Sequence, residues 1–356
     1  VGSGRVGSGR AGSGRVVLRH VGVALSELRQ AQSEVTVMDL AHLEDEALAD
    51  GDEALAEDVA ELQDMAAGWD RPVEILVVDD ASDDGTSDVA EDTGVRVVRH
   101  ERNLGYGASL KTGVQAATWE TIAIIDADGT YPAASIPELV DALDGADMVV
   151  GDRSGHPSAV PLIRRPAKAF LRGLARFVTG ARIPDLNSGL RVFRRSLVIQ
   201  YLPILSERFS FTTTLTIASL CDGLEVVYRP IEYRRRVGRS KVVAWDFFGF
   251  LSLVTRLSIL FRPLRVFAPM ALASFFLGGI KLAWDISVTA RDGGAEKLLT
   301  TETVSTTTVI LLVVAVQMLL MGMMTESMAR RGGRVGIDYI PARLQTEQKQ
   351  SDSGEA

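Results

Sequence analysis

A single cysteine, Cys221, stands in a chain of 356 residues, so an internal disulfide is excluded and with it an oxidised framework. Cys221 itself reads as a small core residue. A surplus of positive charge is missing as well. Net charge is −8 and the pI is near 5.2, which argues against nucleic acid as a partner, because phosphate-backbone binding needs excess Lys and Arg. Between Glu44 and Asp70 there are eleven Asp or Glu and no Lys or Arg, whereas Arg153 to Arg195 is strongly basic. That asymmetry points either to an anionic ligand near the middle of the chain or to a solvated basic face. The opening repeat, VGSGRVGSGRAGSGR, has little to bury and no signal-type apolar stretch behind it, so residues 1–20 are expected to be flexible and not a secretory leader.

What is present suffices for a large core. Hydrophobic residues make up 46% and charged residues 24%, which fits one catalytic domain plus something smaller. VEILVVDD, from Val73, is a continuous apolar run ending in acid, as expected of a strand buried on both faces. Further strands are expected at residues 95–99, 121–125 and 148–150, with helices at 108–118 and 136–143 between them; VTVM, from Val35, is a weaker candidate. Alternating strands and helices imply an open α/β sheet with ligands at the carboxyl ends of its strands, where Asp79, Asp80, Asp126 and Asp128 fall.

Residues 303–324 carry no charge over 22 positions, enough to cross a bilayer at about 1.5 Å per residue. Residues 266–288 form a second, weaker span interrupted by Lys281 and Asp285, which lie one helical turn apart and are expected to snorkel or pair. The preceding WDFFGFLSLVTRLSILFRPLRV reads as an interfacial helix with Arg256, Arg262 and Arg265 on its polar side. Basic residues flank the two spans, so the expectation is a multi-pass protein of the cell membrane with its catalytic domain facing the cytosol.

The stretch IAIIDADGTYP admits two chemistries. Asp-x-Asp-Gly-Thr suits a phosphatase of the haloacid dehalogenase type, with Asp126 as nucleophile; Asp-x-Asp equally suits a nucleotide-sugar glycosyltransferase, with Asp126 and Asp128 holding a cation. The phosphatase needs its motif on the first strand of the domain, yet an acidic strand end, VVDDASDDGT, comes earlier, and its later acidic motif arrives too soon. EILVVDDASDDGT, RNLGYGASLKTG, DADGTYP, DLNSGLRVFRR and YRRRVGRSK, in that order, resemble family-2 glycosyltransferases of the GT-A fold, and among them the dolichol-phosphate mannosyltransferases and related polyprenyl-phosphate glycosyltransferases.

The resemblance implies a Rossmann-like open mixed sheet with helices on both faces, followed by a two-helix transmembrane hairpin. The expected division is a flexible segment 1–20, an acidic, mostly helical region 21–71 with a degenerate first strand, a GT-A domain 72–243, an interfacial helix 244–265, two transmembrane helices across 266–326 and a cytosolic tail 327–356. It further implies a hexosyl donor, GDP- or UDP-hexose, bound by Asp79, Asp80, Asn103, Gly105, Gly107, Lys111, Asp126, Ser240 and Lys241. Asp126 and Asp128 would hold Mg²⁺ or Mn²⁺, whose hard character suits carboxylate oxygens. Asp185 and Arg235 join them as catalytic residues. Arg153, Arg164, Lys168, Asn187 and Ser188 would bind the phosphate of a polyprenyl or dolichyl acceptor, guanidinium groups gripping its oxygens in pairs. Two alternatives stay open: transfer to a sugar hydroxyl of a lipid-linked glycan, and a catalytically weak membrane scaffold with the same fold.

Overall fold

Val73–Asp79 (β2), Thr121–Asp126 (β4) and Met148–Asp152 (β5) are apolar along both faces, and such strands are stable only between two covering layers. In the computed structural model, which describes residues 34–41, 51–82, 86–126, 128–155, 165–207, 210–234, 244–297 and 304–332, they join Val35–Ala41 (β1), Arg96–Arg99 (β3), Arg191–Arg194 (β6) and Val226–Pro230 (β7). The seven strands form one mixed sheet in the order β3-β2-β1-β4-β6-β5-β7. β6 runs antiparallel to β4 and β5, and the remaining pairs are parallel.

The weak strand candidate at Val35 is therefore a central strand, pairing Val35 with Val73 on one side and with Thr121 on the other. The sheet takes in residues ahead of position 72, where the sequence reading opened the domain. Side chains alternate across the sheet. Met38, Leu76, Val78, Ile122, Ile124 and Phe193 face helices Tyr106–Ala116 (α3), Arg195–Tyr201 (α6) and Phe211–Cys221 (α7). Val35, Val37, Ala123, Ile125 and Val192 face the other way, onto Leu62 of Gly51–Ala67 (α1) and onto Ile136 and Leu139 of Ile136–Asp141 (α4). Each fully buried Leu or Ile contributes about 1.5–3 kcal/mol, so helices on both faces hold the sheet. Thr86–Asp92 (α2) packs near β2 and β3 through Ala90.

Beyond the sheet, Arg165–Thr179 (α5) and Ala244–Phe261 (α8) pack on α7, burying Ala175, Val178, Ile217, Val254 and Leu257 together. α8 ends at Phe261, short of the expected 265, and Pro263 opens the next helix, Pro263–Lys297 (α9), in the first-turn position that proline favours. Arg262 and Arg265 do not line a polar face with Arg256, as the sequence suggested. Arg262 Nη2 donates to the carbonyl of Cys221, and Arg265 Nη1 donates to those of Phe177 and Val178, each at 2.8 Å, so both cap carbonyls at the ends of α7 and α5.

α9 and Thr306–Gly332 (α10) form the two long apolar helices expected. Their apolar stretches, Pro263–Arg291 and Thr306–Met328, are only 11% and 17% buried, unlike core helices of a soluble domain. The pair is antiparallel: Gly322 meets Phe267, Gly278 meets Leu312, and Ser305 meets Asp285. A Cβ at Gly278 would lie 2.9 Å from Leu312 Cδ2, so the absent side chain permits the close approach. The pairing expected for Lys281 and Asp285 is present, and Asp285 Oδ2 also accepts the hydroxyls of Ser305 and Thr308 at 2.6 and 2.7 Å.

Candidate active site

The strand register brings the acidic ends together. Ala41 pairs with Asp79 and Leu40 with Asp126, so Asp79 and Asp126 finish two parallel strands with only β1 between them, roughly 10 Å across. The site opens at this edge.

Asp126 Oδ1 accepts the Tyr106 hydroxyl at 2.9 Å. Its other face lies against Gly189, where a Cβ would stand 2.0 Å from Asp126 Oδ2. Only glycine admits that approach. Burial, and next the charge of Asp126, push the Tyr106 hydroxyl well above its ordinary pKa, so it remains a donor. Asp128 follows in the turn, its amide donating to the Asp126 carbonyl at 2.9 Å and its Oδ1 accepting the Thr130 amide at 3.2 Å and the Thr130 hydroxyl.

Arg153 and Asp185, separate motifs in the sequence, meet as a two-pronged pair: Nε to Oδ2 at 2.7 Å and Nη2 to Oδ1 at 3.0 Å. Arg153 Nη1 also donates to the Tyr131 hydroxyl at 2.9 Å, and that same hydroxyl accepts the Gly189 amide at 2.8 Å. Tyr233 stands edge-on to Tyr131 at 5.3 Å, and the guanidinium lies over both rings. Burial alone would raise the Asp185 carboxyl, but the hydrogen bonds and charge of Arg153 outweigh it and hold it below the usual range. Tyr131 thus links the arginine to the glycine that borders Asp126.

The Asp185-Leu186-Asn187-Ser188-Gly189 loop is fixed from beneath. Fully buried Arg191 donates Nε and Nη2 to the Ser188 carbonyl at 3.1 and 2.6 Å, and Nη1 to the Thr212 carbonyl and the Thr216 hydroxyl. Asn187 is exposed, and its Oδ1 accepts the Thr213 hydroxyl at 2.8 Å.

On the β2 side, Asp79 accepts the Ser82 amide at 2.9 Å and the Ser87 hydroxyl and pairs with Arg99. Asp80 is 3% exposed; its oxygens take His100 Nδ1 at 2.6 Å, the Leu104 amide at 2.8 Å and the Gly105 amide at 2.6 Å. The resemblance implies that Asp80 binds the nucleotide sugar. In the folded chain its carboxylate is engaged with the turn that opens α3. Asn103 is exposed on that turn, Gly105 and Gly107 begin the helix, and Lys111 is half-buried within it.

Arg164, Arg235, Ser240 and Lys241 lie outside the described residues, and Lys168 is placed in α5 by its backbone alone. Tyr106, Tyr131, Gly189 and Arg191 did not stand out in the sequence, although Tyr131 follows the Asp-x-Asp by three positions. Two carboxylates of α1 also reach the site. Asp58 Oδ2 accepts the Gly129 amide at 2.9 Å, and Glu61 Oε1 accepts the Ala133 amide at 3.0 Å. Burial, opposed by the Gly129 amide and reinforced by the charges of Asp128 and Glu61, pushes the Asp58 carboxyl up to about 6.

Comparison with known proteins agrees with this layout. The family described as Glycosyl transferase family 2 matches residues 53–202, and the one described as GtrB C-terminal hairpin matches residues 262–330. The dolichyl-phosphate hexose transferase of Haloferax volcanii is 32% identical over 185 residues, covering 51% of this chain and 78% of that protein. The polyprenol monophosphomannose synthase of Mycolicibacterium smegmatis is 31% identical, covering 48% and 70%. Among solved structures, glucosyl-3-phosphoglycerate synthase from Mycobacterium tuberculosis, crystallised with Mn²⁺, UDP and phosphoglyceric acid, superposes with a TM-score of 0.50 at 20% identity, covering 66% of this chain and 82% of that one, which supports the fold alone.

Proposed function

Starting from a chain that belongs to glycosyl transferase family 2, a GT-A glycosyltransferase ending in a GtrB-type hairpin, we propose that it moves a hexosyl group from a nucleotide sugar to a polyprenyl or dolichyl phosphate at the cytosolic face of a membrane. The observation that carries the reading is the junction of Asp126, Gly189, Tyr131, Arg153 and Asp185 at one sheet edge, on a domain joined to two long exposed apolar helices.

The donor set fits a divalent cation, Mg²⁺ or Mn²⁺. Asp126 and Asp128 offer hard carboxylate oxygens at the end of β4, and Gly189, lacking a side chain, adds no bulk beside Asp126. When bound, the cation would offset charge on the departing nucleoside diphosphate. Tyr106 orients Asp126, and Thr130 orients Asp128. Asn103, Gly105 and Lys111 border the nucleotide, with Asp79 and Asp80 shaping the adjoining turns. Arg153 spends three contacts on Asp185 and Tyr131, and the other N–H groups of its fork serve the acceptor phosphate together with Arg164 and Lys168. A phosphate oxygen is already anionic near neutral pH, so it attacks the anomeric carbon without a strong base, in one displacement with inversion.

The test is equilibrium binding of UDP and GDP to the purified protein with and without Mg²⁺ or Mn²⁺, followed by transfer assays on polyprenyl phosphate. Binding is expected to require the metal, and Asp128→Asn is expected to lose that dependence and most transfer while staying folded. Transfer only to a lipid-linked sugar hydroxyl would reject the lipid-phosphate acceptor, and metal-independent binding would reject the cation site.

A further inference from the structure

The acidic helix α1 has no place in the catalytic scheme above, yet two of its side chains reach the loop that carries Asp128. Asp58 and Glu61 are three positions apart, hence on one face of the helix. Asp58 takes the Gly129 amide, and Glu61 takes the Ala133 amide. Glu61 also pairs with Arg234, at 2.8 and 3.2 Å, and the Arg234 amide in turn donates to the Thr130 carbonyl at 2.9 Å. The turn from Asp128 to Ala133 is therefore clasped at three points: Gly129 by Asp58, Thr130 by Arg234 and Ala133 by Glu61.

Stability alone does not recommend this arrangement. It sets the Asp58 carboxylate, partly withdrawn from water, close to those of Asp128 and Glu61, and like charges in partial burial are unfavourable unless something offsets them. Gly129 holds φ at +64°, a left-handed backbone whose amide Asp58 meets directly. We infer that Asp58 and Glu61 are positioning residues of the transfer reaction, holding the Asp128 turn in its cation-binding shape, with Arg234 tying that turn to the segment leaving β7.

This inference rests on the proposed cation role of Asp126 and Asp128, and its test separates the two. Full-length protein in detergent or nanodiscs is titrated with Mn²⁺ at fixed UDP and GDP, and the half-saturating metal concentration is read by calorimetry. Asp58→Ala and Glu61→Ala are expected to raise it about ten- to a hundredfold, the range for groups that orient metal ligands. Asp58→Asn keeps an oxygen for the Gly129 amide and is expected to recover most of the loss. Half-saturation that shifts and recovers while Tm stays at the wild-type value separates positioning from a purely structural role. Glu61→Gln keeps the contact to Ala133 but loses the ion pair, so its shift, compared with Arg234→Gln and the double variant, reports the tether. Hydrogen exchange without metal is expected to show faster exchange at Gly129 and Ala133 in the alanine variants. Folded variants with the wild-type half-saturation and unchanged exchange overturn the inference while leaving the metal reading intact. Metal-independent nucleotide binding by the wild type overturns the reading, and the inference with it.

Discussion

Gly189 is the residue on which the site geometry turns most sharply, because its missing side chain is what lets the Asp185–Gly189 loop touch Asp126. Gly189→Ala places a methyl group where Asp126 Oδ2 stands, and relieving such overlap costs about 1–3 kcal/mol. The expected outcome is a folded protein with strongly weakened metal-dependent nucleotide binding, read by calorimetry. Arg153→Ala is expected to act on the other substrate: acceptor use falls by about 2 kcal/mol, roughly thirtyfold, while UDP or GDP affinity is retained. Equal losses for both would contradict the assignment. Glu74 offers a stability readout remote from the reaction. Burial would raise its carboxyl, but the hydroxyls of Thr36 and Thr118, the Thr118 amide and Arg96 outweigh burial and hold it below the ordinary value. A depressed carboxyl stabilises the fold above its unfolded pKa and loses that contribution as pH falls through the folded value. Glu74→Gln is therefore expected to lower Tm at pH 7, and the gap to wild type is expected to close below about pH 4.

Among the elements, the hairpin of α9 and α10 depends on small residues and on one polar cluster at its far end. Gly278→Leu is expected to force the helices apart against Leu312, and Asp285→Ala to strip Lys281, Ser305 and Thr308 of their shared partner. Each is expected to raise the protease sensitivity of the helix connection in nanodiscs, with nucleotide binding unchanged. Which elements the sequence revealed has a physical basis. β2, β4 and β5 were legible because strands buried on both faces must be apolar throughout. β1 read poorly because Thr36 and Asp39 interrupt the run, though both are buried in the fold. Asp126, Asp128, Arg153 and Asp185 were legible as short motifs. The pairing of Arg153 with Asp185 was not, since it joins two loops that no periodicity connects. Asp58 and Glu61 stood within a conspicuous run of acid, but only the packing of α1 on the sheet carries them to β4.

At the level of the whole chain, charge around the hairpin predicts an orientation. Arg256, Arg262 and Arg265 lie before or in the first turn of α9 and Arg330, Arg331 and Arg334 at or beyond the last turn of α10, against Arg291 and Lys297 toward the far end of α9, so both ends are expected on the cytosolic side. A cysteine at Gly294 is expected to react with an impermeant thiol reagent in intact cells, and Cys221, only 4% exposed, should add little background. Protection of that cysteine would reverse the assignment. The two arginine caps at the base of the hairpin matter most at this scale. Because Arg262 and Arg265 grip the ends of α7 and α5, the catalytic domain is joined to the hairpin as to a post and not by a bare cord of linker. A domain on a cord samples many heights, and its encounters with membrane lipid follow the statistics of the linker. On the proposed membrane placement, a post would hold the carboxylates at one altitude over the bilayer. A phosphate anchored in the headgroup layer, the acceptor proposed above, would then meet the same storey of the site at every visit, while a phosphate dissolved in water would gain nothing from that constancy.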